Sequence, residues 1–230
     1  MHSVPLLEEL VIPRLAALLM TYGLQTLFNI CLAHRHFALL NQDEQVVRLR
    51  SAETELPVSH VFHDGLPNSE TLEKYRLQMP ENPTIVPDTF LIRGNQLQSY
   101  EYSCVESESA QQTLSKIQMV PQGFLKSWSG ILREYAAEDQ LALTFREPEN
   151  GTVPNVTVCD AEARVDVGLF SGEAAAIALS WNSLPAEWEV KGRLRDGMCS
   201  CTRTRFCRCC IYCGGSNIVN GVCQDCKAPQ

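Results

Sequence analysis

The 230-residue sequence lacks the short motifs that mark many enzymes. It contains no G-x-S-x-G nucleophile turn, no glycine-rich phosphate loop, no H-E-x-x-H metal helix and no dinucleotide-binding fingerprint. These absences lower the expectation of an enzyme built around one of those sites. They do not exclude a catalytic site assembled from residues that are distant in the sequence.

Long uninterrupted apolar runs and a basic N-terminus are also missing. The most apolar stretch, residues 11–33, is broken by Pro13, Arg14, Gln25 and Asn29. Its leucines recur at helical spacing, so we predict one buried amphipathic helix rather than a membrane span. The first nine residues carry acid where a signal peptide carries base. We therefore expect an intracellular protein, cytoplasmic or nuclear, that is not secreted and has no membrane partner.

Basic residues are scarce and unevenly placed. The chain has 19 Lys and Arg against 27 Asp and Glu, which gives a net charge of −8. Residues 191–230 carry +5 and residues 1–190 carry −13. At 45% hydrophobic residues, a chain of this length can bury a core and still carry a small appendage. We predict an acidic body, residues 1–190, and a basic, cysteine-rich tail, residues 191–230.

The body is predicted to be α+β, with helices that interrupt an antiparallel sheet. Apolar periodicity predicts helices over residues 69–77, 109–120 and 124–135. It predicts strands over residues 46–50, 58–62, 141–145, 156–159, 163–170 and 174–181, and a hairpin whose turn is Gly94-Asn95. The alanine run at residues 174–176 leaves a helix as the alternative for the last of these strands. Residues 191–199 are predicted to be a basic linker.

The tail holds two Cys-x-x-Cys pairs with nine residues between them: Cys210, Cys213, Cys223 and Cys226. Four thiolates spaced in this way can form a tetrahedral shell around zinc. The segment resembles the short zinc-ribbon family, although Lys227 stands where that family often has glycine. The resemblance implies a small four-cysteine module that holds one structural zinc ion. Disulfides or free thiols are the alternatives.

Four more cysteines lie just upstream, as two Cys-x-Cys pairs: Cys199, Cys201, Cys207 and Cys209. They could form a second four-sulfur zinc site or compete with the first site for its ion. A metallothionein-like cluster, a redox pair and iron–sulfur ligands are further alternatives. This spacing is less restrictive than Cys-x-x-Cys, so the sequence leaves a second metal ion open.

Basic and aromatic side chains alternate with these cysteines: Arg203, Arg205, Phe206, Arg208 and Tyr212. Together they could form a contact surface for a partner. A nucleic acid would use the arginines for its phosphates and the aromatic rings for stacking. The arginines could instead lower the pKa of neighbouring thiols and offset the charge of a zinc centre. Because the acidic body repels nucleic acid, we expect a protein partner.

Four of the five histidines form two pairs, His34-Arg-His36 and His60-Val-Phe-His63. Each pair could contribute to a metal or hydrolytic site, together with Asp43, Glu44 or Asp64. We favour a structural role for the first pair, in which the imidazoles cap the end of the predicted helix.

Cys31 precedes His34 by three residues and could act with it as a thiol nucleophile. It also continues the apolar face of the predicted helix. We therefore favour a core cysteine.

The run from Tyr22 to Phe37, followed by Glu44 and Val46-Val47, resembles uncharacterised proteins of filamentous fungi. Those proteins share a helix that ends in His-Arg-His-Phe. The resemblance implies an intracellular accessory protein, associated with a specialised-metabolite pathway.

Three functional hypotheses follow from the sequence. The first is an accessory protein whose zinc-ribbon-like tail mediates protein interaction. The second is a metal-dependent or thiol enzyme that uses the region of His34 and His36. The third is a nucleic-acid-associated factor.

Overall fold

The structure, a computed structural model, describes residues 4–33, 37, 39–54, 56–146, 155–160, 163–170, 184–193, 199–207, 218–219 and 222–223. The helices are α1 Val4–Leu10, α2 Ile12–Thr21, α3 Ser69–Lys74, α4 Ser107–Gln118 and α5 Gln122–Glu134. The longest of these has 13 residues. None of the helices in these ranges combines the length and the apolar character that crossing a bilayer requires.

The strands follow one another along the chain with the helices inserted between them. They are β1 Phe28–Leu32, β2 Glu44–Ser51, β3 Pro57–His63, β4 Leu66–Pro67, β5 Leu77–Gln78, β6 Pro83–Arg93, β7 Gln96–Glu106, β8 Leu141–Phe145, β9 Asn155–Asp160, β10 Val165–Phe170, β11 Leu184–Arg193, β12 Cys199–Cys207, β13 Ile218–Val219 and β14 Val222–Cys223.

Twelve of the strands form one curled sheet in the order β4-β3-β10-β9-β12-β11-β1-β8-β6-β7-β2-β5. The pairing of β2 with β3 closes ten of them into a ring, with β4 and β5 attached at its margin. The predicted α+β class is confirmed. The sheet is mixed rather than purely antiparallel, because β2 runs parallel to β7 and β12 runs parallel to β9.

The main core lies between the outer face of this ring and the helices α1, α2 and α5. Phe124, Trp128 and Leu132 recur every four residues along α5, and all three side chains are fully buried. They pack in one cluster with residues of α2 and of strands β1, β6, β8 and β11. The helical stripe predicted for residues 124–135 is therefore confirmed, and burial of this face stabilises α5.

The hairpin of β6 and β7 has the predicted turn. Arg93 pairs with Gln96, so the loop between them contains only Gly94 and Asn95. Both loop residues have a positive φ, 56° and 63°. That combination belongs to the type I′ turn, whose twist matches the twist of the two strands.

Other predicted elements are present with shifted ends. Helices occur at the predicted positions near residues 69–77 and 109–120, as α3 and α4. Strands occur at the predicted positions near residues 46–50, 58–62, 141–145, 156–159 and 163–170, as β2, β3, β8, β9 and β10. The strand predicted over residues 174–181 lies outside the described residues.

The helix predicted over residues 11–33 is wrong in its second half. The helix α2 ends at Thr21, Gly23 adopts φ +69°, and residues Phe28–Leu32 form the strand β1. All five residues of β1 are buried, because helices cover one face of it and the ring interior covers the other. A strand that is buried on both faces has no polar alternation, so its sequence cannot be distinguished from a buried helix.

The predicted role of His34 and His36 as caps at a helix end is wrong for the same reason. The segment before them is β1, which ends at Leu32, and not a helix. Residues 34–36 themselves lie outside the described residues.

The predicted boundary at residue 190 does not coincide with the end of an element. The strand β11 continues to Arg193, through the first residues of the predicted linker. The next strand, β12, pairs with both β11 and β9 in the large sheet. Residues 199–207, which the sequence places in the tail, therefore belong to the same sheet as the body.

Candidate functional site

The two faces of the curled sheet differ in chemistry. Side chains alternate between the two faces of a strand. Where every second residue belongs to the core beneath the helices, the residues between them point into the ring. On β1, Phe28 and Ile30 belong to the outer core, whereas Asn29 and Cys31 face inward. A closed sheet with no cavity fills its interior with side chains, most of them apolar. Here much of the inner face is polar.

We call these inward-facing polar residues the polar band. Its members lie along six consecutive strands of the ring, in the order β11-β1-β8-β6-β7-β2. One member, Arg146, is the residue that directly follows β8. Its members are Asn29, Arg48, Asp88, Thr89, Glu101, Ser103, Thr144, Arg146, Glu187, Glu189 and Lys191.

One part of the polar band surrounds Asp88 on β6. An ion pair of 3.4 Å joins an Arg48 nitrogen to the Asp88 carboxylate, and a second one of 3.7 Å joins Arg48 to Glu101. The hydroxyls of Ser103 and Thr89 also donate to Asp88, the latter at 3.0 Å. Acid and base are therefore held at fixed positions in this part.

The other part lies on β1 and β11. Asn29 Nδ2 donates to Glu187 Oε1 at 2.7 Å. The Glu189 carboxylate is fully buried and forms ion pairs with Arg146 and, at 2.5 Å, with Lys191. The remaining acceptor, Asn29 Oδ1, is buried and has no hydrogen-bond partner among the described residues. A buried acceptor without a partner is destabilising unless something satisfies it.

The two parts of the polar band are contiguous. Thr144 lies 3.1 Å from the Thr89 hydroxyl, and it is also the register partner of Asn29 on β1. Solvent reaches several members, since the side chains of Arg48 and Glu101 are each 13% exposed and that of Arg146 is 15% exposed. The interior of the ring thus carries charged and polar side chains, some of which solvent partly reaches, and we call this interior the chamber.

A second polar feature lies around Glu44, the first residue of β2. Its fully buried carboxylate accepts from Arg164 Nη1 at 3.0 Å, from Arg164 Nη2 at 2.5 Å and from the Leu40 amide at 2.6 Å. His63 Nε2 lies 3.5 Å from the same carboxylate. The bond from Arg164 is the main reason that the pKa of Glu44 falls from 4.5 to about 2.

His60 is buried on β3, next to this cluster. Burial lowers its pKa from 6.5 to about 4, so the imidazole is neutral at pH 7. Its Nε2 atom has no hydrogen-bond partner within the described residues. His60 and His63 line the same cleft of about 380 Å³, together with Lys74 and Asp160.

Asp160 is held firmly at the wall of this cleft. It accepts from the Tyr75 hydroxyl at 2.6 Å, from Lys74 at 3.0 Å and from the Ala163 amide at 3.0 Å. The Tyr75 bond leads the interactions that lower the pKa of Asp160 to about 2. The carboxylate oxygens of Asp160 are therefore occupied by hydrogen bonds within the protein.

Of the four histidines in the two predicted pairs, the structure describes His60 and His63. His60 and His63 do share a cleft, and Glu44 contacts His63. The part of the chain that the structure describes contains no group of three or more His, Cys, Asp or Glu side chains arranged to hold a metal ion. An enzyme site at His34 and His36 stays a prediction, because those residues are not described. Cys31 is buried and its thiol donates to the Ala142 carbonyl at 3.7 Å, which confirms a core cysteine.

Most of the predicted zinc ligands lie outside the described residues: Cys209, Cys210, Cys213 and Cys226, with the predicted contact residues Arg208 and Tyr212. The backbone of Cys223 is described and belongs to β14, which pairs with β13 through Ile218↔Cys223 and Val219↔Val222. A small antiparallel hairpin thus leads into the second Cys-x-x-Cys pair.

The upstream cysteines are spread along β12. Cys199 and Cys207 begin and end this strand, and Cys201 packs against the outer core. Nine extended residues separate the Cα atoms of Cys199 and Cys207 by about 26 Å. The sulfurs around one zinc ion lie only about 4 Å apart. The strand therefore holds the Cα atoms of these two cysteines far apart, and the second zinc site stays a prediction.

Three of the predicted contact residues lie on the same strand: Arg203, Arg205 and Phe206. Arg203 forms a two-pronged ion pair with Glu8 on α1, at 2.7 and 2.9 Å. Trp188 Nε1 donates to the same Glu8 carboxylate at 2.7 Å. Arg203 is half-exposed, but its guanidinium is already paired with a carboxylate of α1.

The polar band was missed by sequence reasoning, although one pattern could have revealed part of it. In Glu187-Trp188-Glu189-Val190-Lys191, polar and apolar residues alternate, which is typical of a strand with one polar face. The predicted boundary at residue 190 divided that pattern between two domains.

Comparison with known proteins gives no direct indication of function. No protein-family model, no curated protein and no solved structure matches the chain.

Proposed function

We propose that the chamber inside the ring binds a small charged ligand. The observation that carries this proposal is the polar band, which places acidic and basic side chains together on the inner face of the ring, where solvent partly reaches several of them. Removing an ionised group from water costs several kcal/mol even after relaxation, and apolar replacements are often at least as stable. Charges held on or directly after five of these six strands are therefore better explained by a ligand than by stability.

The proposal is tested by making the centre of the polar band apolar without changing its volume. The variant Asn29→Leu/Thr144→Val removes two neighbouring buried polar groups, one of which has an acceptor without a partner. We expect it to fold and to lose ligand binding; because the Glu187 carboxylate loses its Asn29 donor, stability should fall by about 1–3 kcal/mol. A matched control, Gln112→Leu, makes the same kind of change on an exposed position of α4.

Binding is measured as the rise in melting temperature produced by a panel of charged compounds. The panel contains pyrophosphate, nucleoside triphosphates, dicarboxylates and spermidine, each tested with and without Mg²⁺. At least one compound should stabilise the wild type and the control but not the double variant. The proposal is overturned when no compound stabilises the wild type, or when the double variant responds equally.

A second proposal concerns the tail. We propose that Cys210, Cys213, Cys223 and Cys226 hold one zinc ion and thereby organise a basic surface that binds a protein inside the cell. The spacing of the cysteines and the hairpin of β13 and β14 between the two pairs support it. Arg205, Phe206, Arg208 and Tyr212 would form that surface, because Arg203 is already bound to Glu8. A fungal specialised-metabolite pathway stays a prediction.

Metal content tests the tail directly. Elemental analysis and native mass spectrometry of the full chain should find zinc, and Cys213→Ser should contain one equivalent less while the large sheet stays folded. An unchanged zinc content in that variant contradicts the assignment. A second ion in the wild type would point to the upstream cysteines. Binding of a labelled oligonucleotide that weakens steeply between 50 and 200 mM salt would favour the nucleic-acid hypothesis instead.

A further inference from the structure

We propose that the cleft beside α3 binds a small uncharged polyhydroxyl compound, such as a monosaccharide or a cyclic polyol, one hydroxyl of which donates to His60 Nε2. This site is separate from the chamber, because it lies on the outer face of the ring. Arg48 belongs to the inward-facing polar band, so its neighbour Val47 points outward. His60 is the register partner of Val47 and therefore points outward as well.

His60 supplies a fixed hydrogen-bond acceptor in this cleft. It lines the cleft and is only 1% exposed. A hydrogen bond with the backbone of Val61 opposes the fall in the pKa of His60, so the imidazole is the donor in that bond. Because Nε2 has no hydrogen-bond partner within the described residues, the donor is Nδ1, which carries the proton of the neutral ring. The Nε2 lone pair is thus a buried acceptor, and a ligand hydroxyl would remove the cost of leaving it unsatisfied.

The charges at the walls of the cleft favour an uncharged ligand. Lys74 forms an ion pair of 3.0 Å with Asp160, and Arg164 forms one of 2.5 Å with the buried Glu44. An anion would have to compete with these carboxylates for the two cations, whereas an uncharged compound leaves both pairs intact. Glu70 also lines the cleft, but it is exposed, so water and salt screen its charge.

The helix α3 supplies hydrogen-bonding groups of the complementary kind. Asn68, which caps this helix, and Thr71 both line the cleft, as does Lys74. The Asn68 oxygen is occupied by the Thr71 amide at 3.2 Å, so the side-chain nitrogen of Asn68 is its remaining polar group. The Lys74 ammonium is a donor, and the Thr71 hydroxyl both donates and accepts. A hydroxyl group also does both, so several hydroxyls on one small molecule would satisfy an acceptor at His60 together with donors on α3.

The size of the cleft and the packing of α3 agree with a small ligand. The volume is about 380 Å³, near the lower end of the range of about 300–1,000 Å³ that is typical of small-molecule sites. The helix α3 has six residues and none of them is buried. Few apolar contacts therefore hold this wall, and it can move aside to admit a hydroxyl to the buried Nε2 atom of His60. The bonds from Lys74 and Tyr75 to Asp160 hold the end of α3 at the cleft.

The experiment uses the full chain, labelled with ¹⁵N, and three uncharged probes: glucose, ribose and myo-inositol. The chemical shift of His60 Nε2 is followed during each titration, and its signal is assigned by its absence from the spectrum of His60→Leu. At least one probe should move this signal towards the position of a hydrogen-bonded nitrogen, and the change should saturate. Inorganic phosphate and spermidine, the charged comparison probes, should leave the signal in place.

Affinities of the variants are measured by calorimetry, after urea unfolding has shown that each variant is folded. His60→Leu should weaken binding of the probe by about tenfold or more, because the ligand hydroxyl loses its buried acceptor. Thr71→Val should also weaken binding, whereas the matched control Thr113→Val, on α4, should bind as the wild type does. Asn29→Leu/Thr144→Val should bind as the wild type does too, because it alters the chamber and not the cleft.

Three results would overturn the inference. In the first, none of the three probes moves the His60 signal, or the change grows in proportion to concentration without saturating. In the second, His60→Leu binds the probe as tightly as the wild type does. In the third, phosphate or spermidine moves the signal more strongly than the uncharged probes do. The proposed chamber does not depend on any of these results, because its panel consists of charged compounds and its variants lie inside the ring.

Discussion

His60 should make the stability of the protein depend on pH between pH 7 and pH 5, where Glu44 and Asp160 contribute little. The imidazole is buried on β3 and packs against Phe62, with ring centroids 4.8 Å apart. Burial disfavours the charged form, so the pKa falls from 6.5 to about 4. The unfolded chain therefore takes up a proton at a pH where the folded chain does not.

The magnitude follows from this difference in pKa. Above pH 6.5, His60 is neutral in both states and its contribution to stability is fully present. As the pH falls below 6.5, the free energy of unfolding decreases by about 1.4 kcal/mol per pH unit until the folded pKa near 4 is reached. Between pH 7 and pH 5 the loss is about 2 kcal/mol. Glu44 and Asp160 contribute little in this range, because their pKa values lie near 2 in the folded state and near 4 otherwise.

The assay is urea unfolding at pH 7, 6 and 5 for the wild type, His60→Leu and His63→Gln. The leucine keeps the position apolar and removes the titrating group, so this variant should lose about 2 kcal/mol less than the wild type over that range. His63→Gln changes a half-exposed histidine of the same cleft and serves as the matched histidine variant. Equal pH dependence in the wild type and His60→Leu would refute the reasoning, whatever the stability of the variant at pH 7.

Three further predictions concern stability and use urea unfolding as the measurement. Glu44→Gln should lower the free energy of unfolding by about 3 kcal/mol at pH 7, since the pKa of Glu44 is lowered from 4.5 to about 2. This loss should vanish as the pH falls through that range, so a loss that persists at pH 2 would contradict the prediction. Leu132→Ala should cost about 2–5 kcal/mol by opening a cavity under α5, whereas Leu114→Ala on the exposed face of α4 should change stability by less than about 0.5 kcal/mol. Glu8→Gln should cost about 1–2 kcal/mol, because the carboxylate joins α1 to both β11 and β12; no loss would show that these bonds contribute nothing.

The sequence was a reliable guide where a single face of an element is buried. Along α5, Phe124, Trp128 and Leu132 point to one side, and the exposed residues between them keep the period of the helix visible. The hairpin turn at Gly94-Asn95 was equally clear, because only a few residue types tolerate two successive positive φ angles. Local chemistry determines both features, so local sequence suffices to predict them.

The sequence was misleading where tertiary structure covers both faces of an element. The residues of β1 are apolar because helices pack on one side and the interior on the other, so the run shows no strand alternation; Gly23 at φ +69° is the one local mark of the end of the preceding helix. The polar band is a non-local feature in the same sense. Asn29 and Glu187 are separated by 158 positions in sequence, and only the pairing of β1 with β11 brings them together. No spacing rule could have joined them.

The strand β11 contributes one face to the outer core and the other face to the chamber. Substitutions on the two faces should therefore have different effects. Ala186, Trp188 and Val190 point outward into the core beneath the helices, whereas Glu187 and Lys191 point inward. Substitutions on the outward set remove buried apolar surface, so they should lower stability while ligand affinity changes only through unfolding. Isosteric substitutions on the inward set should lower affinity by more than unfolding alone accounts for, even where a partner charge left unpaired also lowers stability. If substitutions on both faces changed stability and affinity in the same proportion, the inner face would be part of the structural core and the chamber would have no function of its own.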